Sequence, residues 1–338
     1  MTLSPQKSKL VDQIVASARL CGGTAIVLNR EHPVLISFSF GERRLKALFY
    51  IWQITHGGGQ HRPAHEQRIQ ITGVPGRFLN VPGATTFIFG WSPTYEVFAA
   101  WEYSRHADTD FAHRSSPSMQ VPQTALIQAQ SSGLAYAQNQ YAETVVAIRP
   151  DYLSAYLAEW ATLHNTPEAG GDAPVVKEIV GQDIEAPIKD IPEGPRKVKL
   201  VELQRKVRDA RFRTNVIGAY QRRCAISGYD IDMIEAAHIV PVEHKDGTDS
   251  LSNGLCLTVI HHVAFDKGLI GVGPTYKVLI NQSRLEELKR LSRDVGWDWF
   301  KQSLRDDITL PSKREFYPDP EKLRVGLKLR GWTDSQIR

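Results

Sequence analysis

Three polar residues stand in an order and spacing that could serve chemistry at a divalent metal. They are His238 in the run EAAHIVP, Asn253 before Gly254, and His262 in the run VIHHVAFDKG, with Asp266 four residues further on. Singly, each has an ordinary reading. A strand-end histidine is usually a hydrogen-bonded structural group, Asn-Gly suits a turn with positive φ, and His261-His262 suits a polar helix face. Their order and spacing change that. On a helix, i and i+4 share a face, so His262 and Asp266 can point at one spot, an imidazole nitrogen beside a carboxylate oxygen, as a divalent metal needs. His261 lies about 100° away around the helix and is expected not to be a ligand. Glu235, three residues before His238, falls on the opposite strand face and is the weaker candidate. His238 itself stands where an apolar strand must stop, because Pro241 cannot extend a ladder.

The elements that must position these residues read as a short strand over MIEAAHIVP, a polar loop over EHKDGTDSLSN, and GLCLTVIHHVAFDKG, which starts extended and turns helical. LIGVGPTYKVLI reads as a hairpin. Ahead of them, residues 196–223 carry ten Lys and Arg against only Glu202 and Asp209, on apolar residues at near-helical spacing. A solvated helix face explains such a charge run as well as a polyanion does, until its neighbours are considered.

Residues 205–275 resemble the HNH endonucleases, whose fold is a ββα-metal finger. FRTNVIGAYQRRCAISG, EAAHIVP and SNGLCLTVIHHVAFDKGLIGV carry the resemblance. It includes the His-Ile-x-Pro strand end, the Asn-Gly loop, the paired histidines before Phe-Asp-x-Gly, and the basic helix leading to Cys-x-x-Ser-Gly. The resemblance implies that His238 is the general base, taking a proton from the water that attacks a phosphodiester. Imidazole ordinarily titrates near neutral pH, and a strand end holds it rigidly. It implies that Asn253 fixes the loop that aims the base, and that His262 binds a divalent metal, Mg²⁺ first and Mn²⁺ second, which stabilises charge on the phosphate. Asp266 is either the second ligand or the anchor of the turn at Lys267-Gly268. Many relatives place a ligand immediately before the base, where this chain has Ala237; the subfamily with AAHI and HH-x-x-FD-x-G shares the alanine. Others hold a structural zinc with two Cys-x-x-Cys pairs. Here Cys224 is followed by Ser227, and no structural zinc is expected. Beside this motif, phosphate contact becomes the leading reading for Arg211, Arg213, Arg222 and Arg223.

The 338 residues exceed what one core usually organises, so two domains are expected, both α+β. The first, 1–165, reads as mixed helices and a substantial sheet. An acidic Pro/Gly-rich linker follows over 166–195, and the nuclease domain fills 196–338. Net charge is +2, −5 and +7 over these three parts. Expected elements in the first are a helix near 5–20, strands at TAIVL, PVLISFSF, ALFYIWQIT, RIQITG, TTFIFGW, EVFAAWEY and ETVVAIRP, and helices at PQTALIQAQSSG and DYLSAYLAEWATLH. This domain is expected to select the target, with Arg62, Arg68 and Arg114 as nucleic-acid contacts among glycines, serines and aromatics. Similar blocks stand beside restriction and modification modules, which implies a DNA methyltransferase encoded alongside. Glu66-Gln67-Arg68 as a Glu-x-Lys nuclease strand is set aside, because arginine cannot serve as the deprotonated lysine.

No run is long and apolar enough to span a bilayer, and Met1–Leu10 has no following signal-peptide core, so a cytoplasmic protein is expected. Three cysteines without a Cys-x-x-Cys pair give no disulfide framework. The expectation is therefore a metal-dependent endonuclease cutting double-stranded DNA for restriction or host defence, able to cut both strands as a homodimer. The alternatives are a nucleic-acid-binding protein with a degenerate module, or a nuclease restricted to modified DNA such as methylated DNA.

Overall fold

The computed structural model describes residues 3–56, 66–164 and 194–337. Arg62 and nearly all of the 166–195 linker lie outside the described residues. The chain divides into two compact units, Met1–Ala210 and Arg211–Arg338. Each is described by itself.

In the first unit, α1 (Pro5–Leu20) starts where Ser4 caps the Lys7 amide and Pro5 fixes the first turn. It buries Leu10, Val11, Ile14 and Ala18. A nine-stranded sheet follows, built around β3 (Arg43–His56). On one side β3 pairs antiparallel with β2 (Val34–Phe40), which pairs with β1 (Thr24–Val27). On the other it runs parallel to β5 (Thr85–Ser92), followed across the sheet by β6 (Val97–Trp101), β9 (Thr144–Ile148) and β8 (Leu134–Gln138). The far end of β3 pairs with β4 (Glu66–Gln70), which pairs with β7 (Ser118–Pro122).

The continuous apolar run in β3 marks a strand covered on both faces. Ala47, Phe49 and Ile51 enter one core, shared with α1 and α3 (Leu153–His164). Leu48, Tyr50, Trp52 and Ile54 enter the other, shared with α2 (Gln123–Ser132). The α+β expectation holds here. β7 and β8 were not read from the sequence, because SMQVP and LAYAQ are short and poor in β-branched residues.

Helix α4 (Pro195–Ala219) carries much of the basic segment. Leu200, Leu203, Val207 and Ala210 belong to the first unit's core, so the unit boundary falls at 210/211, later than the 196 expected from composition. Charge marks where a helix is solvated, whereas its apolar stripe decides what it packs on.

The second unit has β10 (Ile234–His238) paired antiparallel with β11 (Gly254–Thr258), then α5 (Val259–Asp266), the ββα order expected. The hairpin β12 (Ile270–Val272) and β13 (Val278–Ile280) follows, then α6 (Gln282–Arg290), α7 (Trp297–Gln302) and α8 (Pro320–Leu329). Among the described residues no helix is long and apolar enough to cross a membrane.

One polar cluster in the first unit has a measurable signature. The Lys7 ammonium sits 4.5 Å above the Trp52 ring, 2.9 Å from the Ile51 carbonyl and 2.7 Å from His32 Nε2. Burial lowers the Lys7 pKa to about 7, and burial with the nearby ammonium lowers His32 to about 3. Between about pH 7 and 10.5 the unfolded chain holds a proton on Lys7 that the folded chain has released, so this group makes stability rise with pH across that window. Lys7→Met is expected to flatten that rise in urea-unfolding free energies taken from pH 7 to 10; an unaltered slope would show that Lys7 does not titrate there.

Candidate active site

His238 is the last residue of β10 and faces Gly254 across the ladder. One more backbone bond, from the Ile239 amide to the Asn253 carbonyl at 2.9 Å, follows before a side chain takes the partner strand's place. Asn253, fully buried, accepts the Val240 amide at 3.0 Å and donates to the carbonyls of Val240 and Thr248, both at 2.8 Å. One amide thus holds both ends of the 240–248 loop.

The His238 ring lies flat on Phe212, centroids 3.8 Å apart and planes 5° apart. Phe212 comes from α4, and Gly254 makes room for it: a Cβ there would stand 2.4 Å from Val216 and 3.1 Å from Phe212. His238 Nε2 lies 3.0 Å from Asp249 Oδ1. An ionised carboxylate can only accept, so the neutral ring carries its hydrogen on Nε2 and keeps a lone pair on Nδ1.

On the other face of β10 the alternation presents Glu235 and Ala237. Glu235 Oε2 lies 2.7 Å from His262 Nδ1, and His262 Nε2 lies 3.3 Å from Asp266 Oδ2. The hydrogen bond with His262 holds the Glu235 carboxyl below the usual carboxylate range against its burial, and nearby Arg213 acts in the same direction. The parity that set Glu235 apart from His238 is thus what brings it to His262. Both ring nitrogens face a carboxylate, but only Glu235 is in hydrogen-bond contact; with the neutral ring's hydrogen on Nδ1 toward Glu235, Nε2 keeps the lone pair beside Asp266. A carboxylate behind an imidazole is the usual support of a metal-binding histidine.

Among the described residues no group of three or more His, Cys, Asp and Glu side chains is arranged to hold a metal ion. The reason is visible in the row: the two carboxylates address different ring nitrogens and do not converge. The outward donors are one imidazole nitrogen and one carboxylate oxygen. That pair can serve a divalent cation only if it completes its shell with other ligands.

His261 points elsewhere, as expected. It is buried, with Nδ1 2.6 Å from Thr258 Oγ1 and 3.5 Å from Cys224 Sγ, and Nε2 2.9 Å from Ser303 Oγ. Of the four arginines expected to meet phosphate in this unit, Arg213 donates to the Ile234 carbonyl at 2.9 Å and so braces the start of β10. Arg222 pairs with Asp232 at 3.2 Å and Asp230 at 4.0 Å. Arg211 is half-buried and Arg223 exposed. In the first unit, Arg68 stands on β4 opposite Gln120, and Arg114 is exposed in the loop before β7.

Sequence reading missed Asp249 as the partner of His238, and ranked Glu235 too low. Asp249 had a signal, an acid in the loop between His238 and Asn253; Phe212 had none beyond its apolar type.

Asn253→Ala leaves three backbone groups of the loop without a partner. We expect it to destabilise the second unit by about 2–5 kcal/mol, read from urea unfolding. Asn253→Asp is expected to fail as well, since it would set an oxygen against two carbonyls.

Residues 224–273 match the HNH endonuclease family, and residues 45–157 match the family described as methylase-associated X1. No curated protein matches the chain. Among solved structures, one titled "Modification dependent TagI restriction endonuclease" aligns with 13% identity and a TM-score of 0.30, over 85% of this chain and 82% of that one.

Proposed function

We propose that the protein is a metal-dependent endonuclease that hydrolyses phosphodiester bonds of double-stranded DNA in restriction or host defence. The observation that carries this reading is the Asp249–His238 pair, which leaves His238 Nδ1 as the lone-pair nitrogen at a fixed strand end within the HNH segment. In this reading Nδ1 accepts the proton of the attacking water. Asp249 keeps the ring in the right tautomer and steadies the imidazolium that forms, as the carboxylate of a catalytic triad does. Phe212 fixes the ring plane, and Asn253 fixes the loop that carries Asp249. His262 and Asp266 would hold a divalent cation, Mg²⁺ or Mn²⁺, which when bound supplies charge neutralisation at the phosphate.

Ala237 does not empty the site of carboxylates, because Glu235 reaches His262 from the same strand face two residues earlier. This favours the catalytic reading over a degenerate, binding-only module. Arg211, Arg213, Arg222 and Arg223 are the arginines of the second unit proposed to meet the DNA backbone. Target selection falls to the first domain, with Arg68 and Arg114, and a DNA methyltransferase is its proposed genetic companion, in keeping with the name of the matched family. One site cuts one strand, so a homodimer would complete a double-strand break.

Plasmid nicking with Mg²⁺ or Mn²⁺ tests the assignment. His238→Ala is expected to lose about 10²- to 10⁴-fold in rate, and equal nicking by both proteins would sink it. The methylase-associated domain also supports a dependence on DNA modification. Methylated plasmid is expected to be cut faster than unmethylated plasmid, and equal rates would leave an ordinary nuclease.

A further inference from the structure

The matched HNH segment ends at residue 273, yet the two elements that carry its candidate residues are tied together from outside it. Arg330 follows α8 directly. Its Nη1 donates to the Ile239 carbonyl at 2.6 Å, and its Nη2 to the His238 carbonyl at 3.1 Å and to Asp266 Oδ1 at 3.0 Å. The guanidinium lies over the Phe265 ring at 4.1 Å, and its side chain is only 9% exposed. One planar group therefore fastens the backbone of the strand end to the last turn of the helix. By taking Oδ1 it leaves Asp266 Oδ2 turned toward His262.

The close approach has its own evidence in two glycines. A Cβ on Gly326 would stand 2.5 Å from the Ile239 carbonyl oxygen, and one on Gly268, which has a φ of +65°, would stand 2.4 Å from the Arg330 carbonyl oxygen. Lys322, also on α8, reaches Thr248 Oγ1 at 2.7 Å and Ser250 Oγ at 3.2 Å, on either side of Asp249. The C-terminal helix thus touches the strand end, the metal-side helix and the loop of the His238 partner.

We propose that Arg330 is a positioning residue of the nuclease site, setting the His238 strand end and the Asp266 carboxylate in register so that His262 and Asp266 together take a divalent cation. The inference rests on the nuclease reading above. Arg330 Nη1 also donates to the Gly326 carbonyl at 3.1 Å, and a lysine, a point charge with three donors, cannot serve four acceptors laid out for a fork.

The test uses the full chain as wild type, Arg330→Gln, Arg330→Lys and His238→Ala. Thermal melting checks folding, Mn²⁺ binding without DNA is read from the loss of the free-Mn²⁺ resonance signal, and plasmid cleavage gives kcat and KM. Arg330→Gln is expected to weaken Mn²⁺ binding and lower kcat, each by about 10- to 100-fold, with KM for DNA unchanged. Arg330→Lys is expected to recover only part of either, and to keep the protein folded should glutamine not. Folded variants with wild-type Mn²⁺ binding and kcat would overturn the proposal, as would a loss of rate that follows the folded fraction while Mn²⁺ binding stays intact. Wild type cutting no faster than His238→Ala would instead overturn the nuclease reading.

Discussion

The second unit depends on the closing of one loop by one side chain. Between the end of β10 and the start of β11 the chain makes an excursion of more than a dozen residues, and an open loop of that length would leave its strand-end residue loosely aimed. The buried Asn253 amide substitutes for the missing ladder, with an acceptor for Val240 and donors for Val240 and Thr248. A carboxamide alone among small side chains offers an acceptor and two donor hydrogens together. Because Asp249 lies directly after Thr248, the same contacts that shut the loop also deliver its carboxylate to His238.

The two candidate histidines are treated alike. Each has one ring nitrogen hydrogen-bonded to a carboxylate, Asp249 at His238 Nε2 and Glu235 at His262 Nδ1. Such pairing favours the tautomer whose other nitrogen keeps the lone pair, and in the proposed mechanism that nitrogen accepts a proton in one case and a cation in the other.

Much of this was legible in the sequence. Strong periodicity gave α1 and the long double-covered β3, and the i, i+4 relation of His262 and Asp266 survives as a 3.3 Å contact. Asn253 and His238 fall where the strand-loop-strand reading put them. What escaped was set by partners remote in the chain. Phe212 meets His238 across 26 residues and Arg330 across 92, and no local pattern encodes a contact of that span. The arginines also have partners that composition could not show: Arg213 donates to the Ile234 carbonyl, and Arg222 pairs with two aspartates.

The placing of Glu235 bears on how such enzymes are found. Along an extended strand a step of two residues keeps the face, so an acid can shift from the position next to a histidine to the one two places earlier and still meet the same helix. A search pattern that demands a polar residue immediately before His238 would pass over this chain. A pattern written by face, accepting a carboxylate at either odd separation upstream, would retrieve it.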